Sequence, residues 1–216
     1  MRQGLGLVLV VLMPFVGCAP YTARPAPVPR ADALLLSRTE GAVTIGIDPY
    51  FDVQRQKAVF DENLLDEDVL AVRVHVRNAG PGRVVFLPSD MAIEFPDGRS
   101  LMPSSAAIVA MKVTGGTGSV IGSGIVFGGI GFAVAWNARE KAKADRIKDY
   151  VEKELQTVTL SPDESRHGFV FFIGLPKLAF REGTLAVRFI EVEGGTTKMV
   201  RLSLAETNPS GVPHGR

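Results

Sequence analysis

Apolar and polar residues alternate with a period of two in several short stretches of this chain. Val43, Ile45 and Ile47 alternate with Thr44 and Gly46, and Leu70, Val72, Val74 and Val76 alternate with Ala71, Arg73, His75 and Arg77. A period of two marks a strand with one buried face. Short strands are predicted at 83–87 and 91–95. Turn signals flank them, the run from Asn78 through Gly80 and Pro81 to Gly82 before and Pro96, Asp97 and Gly98 after. Asp followed by Gly suits a tight hairpin. The pattern returns after residue 156. A short strand at 157–160 precedes a polar turn at 161–165, and 167–173 is apolar on both faces, which predicts a central strand. Leu185, Val187 and Phe189 alternate, Gly194 and Gly195 turn the chain, and Val200, Leu202 and Leu204 alternate again. Seven or eight such strands predict a mainly β fold, an antiparallel β-sandwich built from two half-sets, 38–103 and 156–205.

Between the half-sets, 104–155 follows another pattern. No charge falls between Val113 and Ala138, and eight residues there are glycine. On a helix at about 100° per residue, Gly118 and Gly122 lie on one side, and Gly124, Gly128 and Gly131 lie nearly opposite. Gly118/Gly122 and Gly124/Gly128 are small-xxx-small pairs, which let helix backbones approach closely in lipid. Trp136 stands where an interfacial aromatic belongs, with Arg139, Lys141 and Lys143 beyond it. The charged part, 138–155, reads as a helix with Ala144, Ile147, Val151 and Leu155 on one face. Lys148/Glu152 and Asp149/Lys153 are spaced to pair along it. Three readings of 113–136 stay open. It is the arm of a helical hairpin with 104–111 or the charged helix as its second arm, a membrane span, or a glycine-rich loop. A single span would place the two half-sets of strands on opposite sides of a membrane, and each glycine costs a helix up to about 1 kcal/mol relative to alanine.

The N-terminus changes the setting. Arg2 precedes an apolar run from Leu5 to Val16 that ends at Gly17 and Cys18, the only cysteine. A basic start, a short apolar core and small residues at the cut make an export signal. At about 12 residues the core is shorter than the roughly 20 a helix needs to span a bilayer. Phe15, Val16, Gly17 and Cys18 resemble the lipobox of bacterial lipoproteins, with Phe15 where leucine is usual. The resemblance implies cleavage after residue 17 and diacylglycerol on the Cys18 thiol. A lone thiol has no internal disulfide partner, and lipidation would use it. Ala19 follows, where an inner-membrane lipoprotein often carries aspartate, so the expected location is the outer membrane, facing the periplasm. Prolines at 20, 25, 27 and 29 make 18–37 an extended tether, and 206–216 reads as a disordered tail.

A second resemblance lies in the strands. The stretch 158–172, a polar turn followed by Gly168 and the aromatics Phe169, Phe171 and Phe172, is similar to a segment of immunoglobulin-like domains in exported bacterial lipoproteins. Asn78, closing an alternating strand before a short loop, fits the same pattern. The resemblance implies an immunoglobulin-like sandwich and names no activity.

Composition narrows the function classes. Without residues 1–17 the basic residues drop from 24 to 23, equal to the 23 acidic ones. A balanced charge argues against a general nucleic-acid binder. No catalytic residues, metal site or cofactor are expected. Ser165 and His167 lack a nucleophile elbow, and the acidic cluster Asp61, Glu62, Asp66, Glu67 and Asp68 lacks the spacing of a calcium loop. Arg73, His75 and Arg77 form an outward row that could contact an anion, although such a row is more often a solvated strand face. Tyr50, Phe51 and Phe60 could cap one end of the sandwich around a short helix at 51–60. The expected role is structural or adhesive. The chain would be lipid-anchored and would self-associate, hold a partner or touch the bilayer through the glycine-rich insertion. The alternative is a periplasmic module binding a ligand on the basic strand face.

Overall fold

The alternating stretches become strands of two antiparallel sheets. The structure, a computed structural model, describes residues 36–114, 138–175 and 177–205, together with Tyr21, Pro25 and Leu34. The first sheet has the order β1 (Leu36–Glu40), β2 (Val43–Pro49), β3 (Val69–Asn78), β8 (Ser165–Ile173). The second is built on β9 (Thr184–Glu191), which pairs along its length with β10 (Thr196–Ser203). Its other edge takes two short strands end to end, β4 (Val84–Phe86) and β5 (Ala92–Glu94), flanked by β7 (Val158–Leu160) and β6 (Ser100–Leu101). Asp97 and Gly98 turn the chain between β5 and β6. Gly98 has φ +84° there, in the left-handed region that glycine enters without steric cost.

The two sheets share one apolar core. Ile45, Ile47, Val72, Val74 and Phe172 meet Phe86, Leu185, Val187, Phe189 and Val200 across it. This is the inner half of the alternation, and its burial is the main driving force for folding.

The outer face of the first sheet is covered as well. Helices α1 (Val53–Phe60), α2 (Ala106–Val113) and α3 (Ala138–Lys153) lie near it. Tyr50, Phe60, Ala71, Val109, Tyr150, Phe169 and Phe171 form a second buried cluster there. The cluster explains the sequence of β8. Residues 169–172 are buried on both faces, as in a central strand, yet β8 is the last strand of its sheet. Double burial comes from the helices, not from flanking strands. The outer edge of β8 is closed by chain rather than by a strand: Leu155 N donates to Phe169 O at 2.9 Å and Ser104 N to Phe171 O at 2.8 Å. Gly168 permits this approach, because a Cβ there would stand 2.5 Å from the Leu155 backbone.

Two packing expectations are corrected. Tyr50 and Phe60 lie beneath the helices on the outer face, and only Phe51 joins the core between the sheets. On α3 the buried face is centred on Tyr150, which is fully buried, while Val151 is 37% exposed. The apolar stripe read from Ala144 to Leu155 is therefore rotated toward Tyr150. The N-termini of α1 and α2 are capped by Asp52 and Ser105, whose side chains accept from Arg55 N and Ile108 N. Such oxygens satisfy a free amide of the first turn.

Candidate functional site

Two places combine polar chemistry with unusual burial. The first is the outer row of β3. Arg73 stands opposite Asp48 on β2 and Phe169 on β8, His75 opposite Gly46 and His167, and Arg77 opposite Thr44 and Ser165. The row was expected to face solvent. Arg77 does, but Arg73 is only 3% exposed and His75 only 7%. The correction has a physical reason: the same face carries the aromatic cluster, and the Arg73 guanidinium lies over the Phe169 ring, its Cζ 5.2 Å from the centroid. Arg73 Nε is buried with no hydrogen-bond partner among the described residues. Its cross-strand carboxylate, Asp48, is engaged by both terminal nitrogens of Arg55, one at 3.0 Å. Arg55 in turn lies 4.4 Å over the Tyr50 ring.

His75 and His167 face each other with ring centroids 5.9 Å apart and planes at 67°. Partial burial, then the positive charge of Arg73 and the neighbouring His75 and Arg166, hold the His167 pKa below its ordinary value. Ser165 sits opposite Arg77, one step along the same face.

The second place is the base of the insertion. Ala106 N, at the start of α2, donates to Glu154 Oε1 at 2.9 Å, just past the end of α3. Burial raises the Glu154 pKa, opposed by that hydrogen bond and one from Gln156. The acidic cluster acts as clamps: Glu62 pairs with Arg146 of α3 at 2.5 Å, and Glu67 pairs with Lys112 of α2 at 3.3 Å. Asp61 and Asp68 have positive φ and end the helical turns before them. Among the described residues no group of three metal-binding side chains forms.

Sequence reasoning missed Gln56 and Tyr21, and the bonds that Asn78 makes. Gln56 is fully buried, donates to Tyr50 O and accepts from Leu64 N at 2.7 Å and Leu65 N at 3.3 Å, fastening α1 to the following turn. Asn78 donates to the carbonyls of Gly82, Leu160 and Ser161 and accepts from Gly80 N. Tyr21, within the stretch read as tether, donates its hydroxyl to Asp149 of α3, with Arg146 Cζ 4.7 Å over its ring. Lys153 donates to the same carboxylate and to Val59 O at 2.7 Å. Tyr21 left no local signal, because its partner Asp149 lies 128 residues away.

Cys18, Gly118, Gly122, Gly124, Gly128, Gly131 and Trp136 lie outside the described residues. Among the described residues no helix is long and apolar enough to cross a membrane. A depression lined by Leu36, Arg38, Thr184, Arg201 and Ser203 lies where β1 meets β9 and β10.

No protein-family model and no curated protein matches the chain. Solved structures with partial likeness include the Bacillus subtilis protein ycdA, described as a "putative lipoprotein". It is 11% identical with a TM-score of 0.39, and the match covers 79% of this chain and 39% of that one. The Bacillus subtilis yjhA protein is 12% identical with a TM-score of 0.40, over 78% of this chain and 97% of that one.

Proposed function

We propose that this is a lipid-anchored cell-envelope protein whose immunoglobulin-like sandwich carries the glycine-rich insertion against the bilayer or against a second copy. The anchor is Cys18, and the location is the outer membrane, facing the periplasm. One observation carries the reading. Tyr21, three residues beyond Cys18, is fixed to α3 through Asp149 and Arg146. Helix α3 is also the C-terminal flank of the insertion. Three residues span at most about 11 Å when extended. Eleven helical residues separate Asp149 from the start of α3, a rise of about 16 Å. A lipid on Cys18 would thus be held within about 11 Å of Tyr21, which is bound to the helix that follows the insertion.

The reading is tested on two variants and one intrinsic probe. Trp136 is the only tryptophan of the chain and lies in the insertion. Brominated lipids in the vesicles should quench its fluorescence if the insertion enters the bilayer. If copies pack together instead, Gly124→Leu with Gly128→Leu should reduce the oligomer size. A Trp136 unaffected by brominated lipid, together with an unchanged oligomer, would sink the proposal. Cys18→Ser with carbonate extraction then separates the two anchors: release to the soluble fraction means the lipid alone holds the protein.

A further inference from the structure

An arginine buried in apolar surroundings needs an anion, since the charge keeps a large desolvation penalty unless it is paired. Arg73 is nearly fully buried, stacks on Phe169, and its Nε finds no acceptor among the described residues. The carboxylate across the strand, Asp48, is engaged by Arg55, which binds both of its oxygens. Beside Arg73 on the same face stands the pair of imidazoles His75 and His167, and then the exposed Arg77. The row runs from a buried guanidinium to an open rim. His167 and Arg77 are both exposed, so an anion can approach from that end.

We propose that Arg73 and His167, with Arg77 at the rim and His75 beside them, bind a phosphate-type oxyanion that would satisfy the unpaired Nε of Arg73. The donor set suits a multiply charged tetrahedral anion. A guanidinium offers a fixed fork of donors, and the exposed His167 imidazole offers one or two N–H groups depending on protonation. Charge-assisted bonds of this kind are about twice as strong as neutral ones. The anion is either free phosphate or the monoester headgroup of a lipid, and the chemistry of recognition is the same for both.

The test uses the full-length chain in nonionic detergent and phosphate-free buffer. Inorganic phosphate, titrated across the millimolar range, should move the imidazole C2–H resonances of His75 and His167. At saturation it should raise the melting temperature by roughly 5 °C. Arg73→Met should abolish both responses. In phosphate-free buffer this variant should melt no lower than the parent, because an uncompensated buried charge has been replaced by an apolar chain. His167→Asn, at the exposed rim, should weaken phosphate binding about tenfold, the loss of one good hydrogen bond to a charged group. This second variant decides the matter if Arg73→Met does not fold. Phosphatidylcholine vesicles with and without phosphatidate replace the detergent in a second arm. A response to free phosphate assigns a soluble anion, and a response to phosphatidate alone assigns a lipid headgroup. If neither moves the histidine resonances, Asp48 suffices as counter-ion and the proposal is overturned.

Discussion

Asn78 shows how much one buried polar side chain can organise. It is 1% exposed, and its amide donates to three carbonyls from two separate turns, at 2.7, 3.1 and 3.3 Å, while its oxygen takes Gly80 N at 3.0 Å. Asn78→Ala leaves several of these groups dry and unpaired, and should cost about 3 kcal/mol in chemical denaturation. Asn78→Asp should cost at least as much, because a carboxylate has no donor for the three carbonyls. The turn after Asn78 was legible from its glycines and proline. The carbonyls it holds on the far side of β7 were not, since they arrive from 82 and 83 residues away. His167 gives a pH effect with a definite sign. Partial burial, then Arg73, His75 and Arg166, lower its pKa in the folded state. The folded protein therefore binds this proton less well than the unfolded chain does. Stability from this site is complete above the unfolded value of 6.5 and is lost as pH drops through the lowered folded pKa. Melting temperature in phosphate-free buffer should fall over that window, and His167→Asn should flatten the slope.

Elements show the same limit in another form. Strand β8 reads as central because it is apolar on both sides, but periodicity reports burial and says nothing about which element provides it. Here α1, α2 and α3 provide it. In β3 the opposite error arises from the same cause. Arg73 and His75 alternate with valines, which suggests a wet face, and the face is instead crowded by aromatics that come from α1, α3 and β8. Tyr150 is the largest side chain in that helical layer. It stacks on Phe171 with centroids 6.0 Å apart and tilts against Phe60 at 5.1 Å, while its hydroxyl is buried with no partner among the described residues. Burial first, then the nearby carboxylates Glu62, Asp149 and Asp61, hold the phenol in its protonated form, against the pull of Arg146. Tyr150→Phe keeps the ring contacts and removes an unsatisfied polar atom. It should therefore stabilise the protein by about 1 kcal/mol, seen as a melting temperature higher by roughly 3 °C. A lower melting temperature would mean that the hydroxyl is bonded.

At the scale of the whole molecule, the alternation of strands announces two antiparallel sheets, and their membership is hidden. Strand β8 joins β3 across about 90 residues of chain, while β7, a few residues before it, joins the other sheet. No local pattern encodes such a partition, because both strands present the same valine, leucine and phenylalanine to one shared core. The attachment of the N-terminal segment is hidden for a related reason. Prolines at 20, 25, 27 and 29 predict an extended tether that would let the domain roam, yet Tyr21 is bound to α3 between Arg146 and Asp149. Burial and the hydrogen bond to Asp149 raise the pKa of its phenol, so the contact remains a neutral hydroxyl donating to a carboxylate across the neutral range. On the proposed anchoring, this contact sets the height of the domain. With Tyr21 fixed, at most about 11 Å of chain separates Cys18 from α3. With Tyr21→Ala, the next buried residue is Leu34, and the 16 residues from Cys18 to it would reach a mean span of roughly 22 Å as a coil. A fluorophore on Lys148, which is exposed on α3, should transfer energy efficiently to acceptors at the bilayer surface in the parent protein. In Tyr21→Ala it should transfer weakly, with no change in melting temperature beyond the loss of one surface contact. Equal transfer in both would show that the insertion, rather than the tether, holds α3 to the membrane.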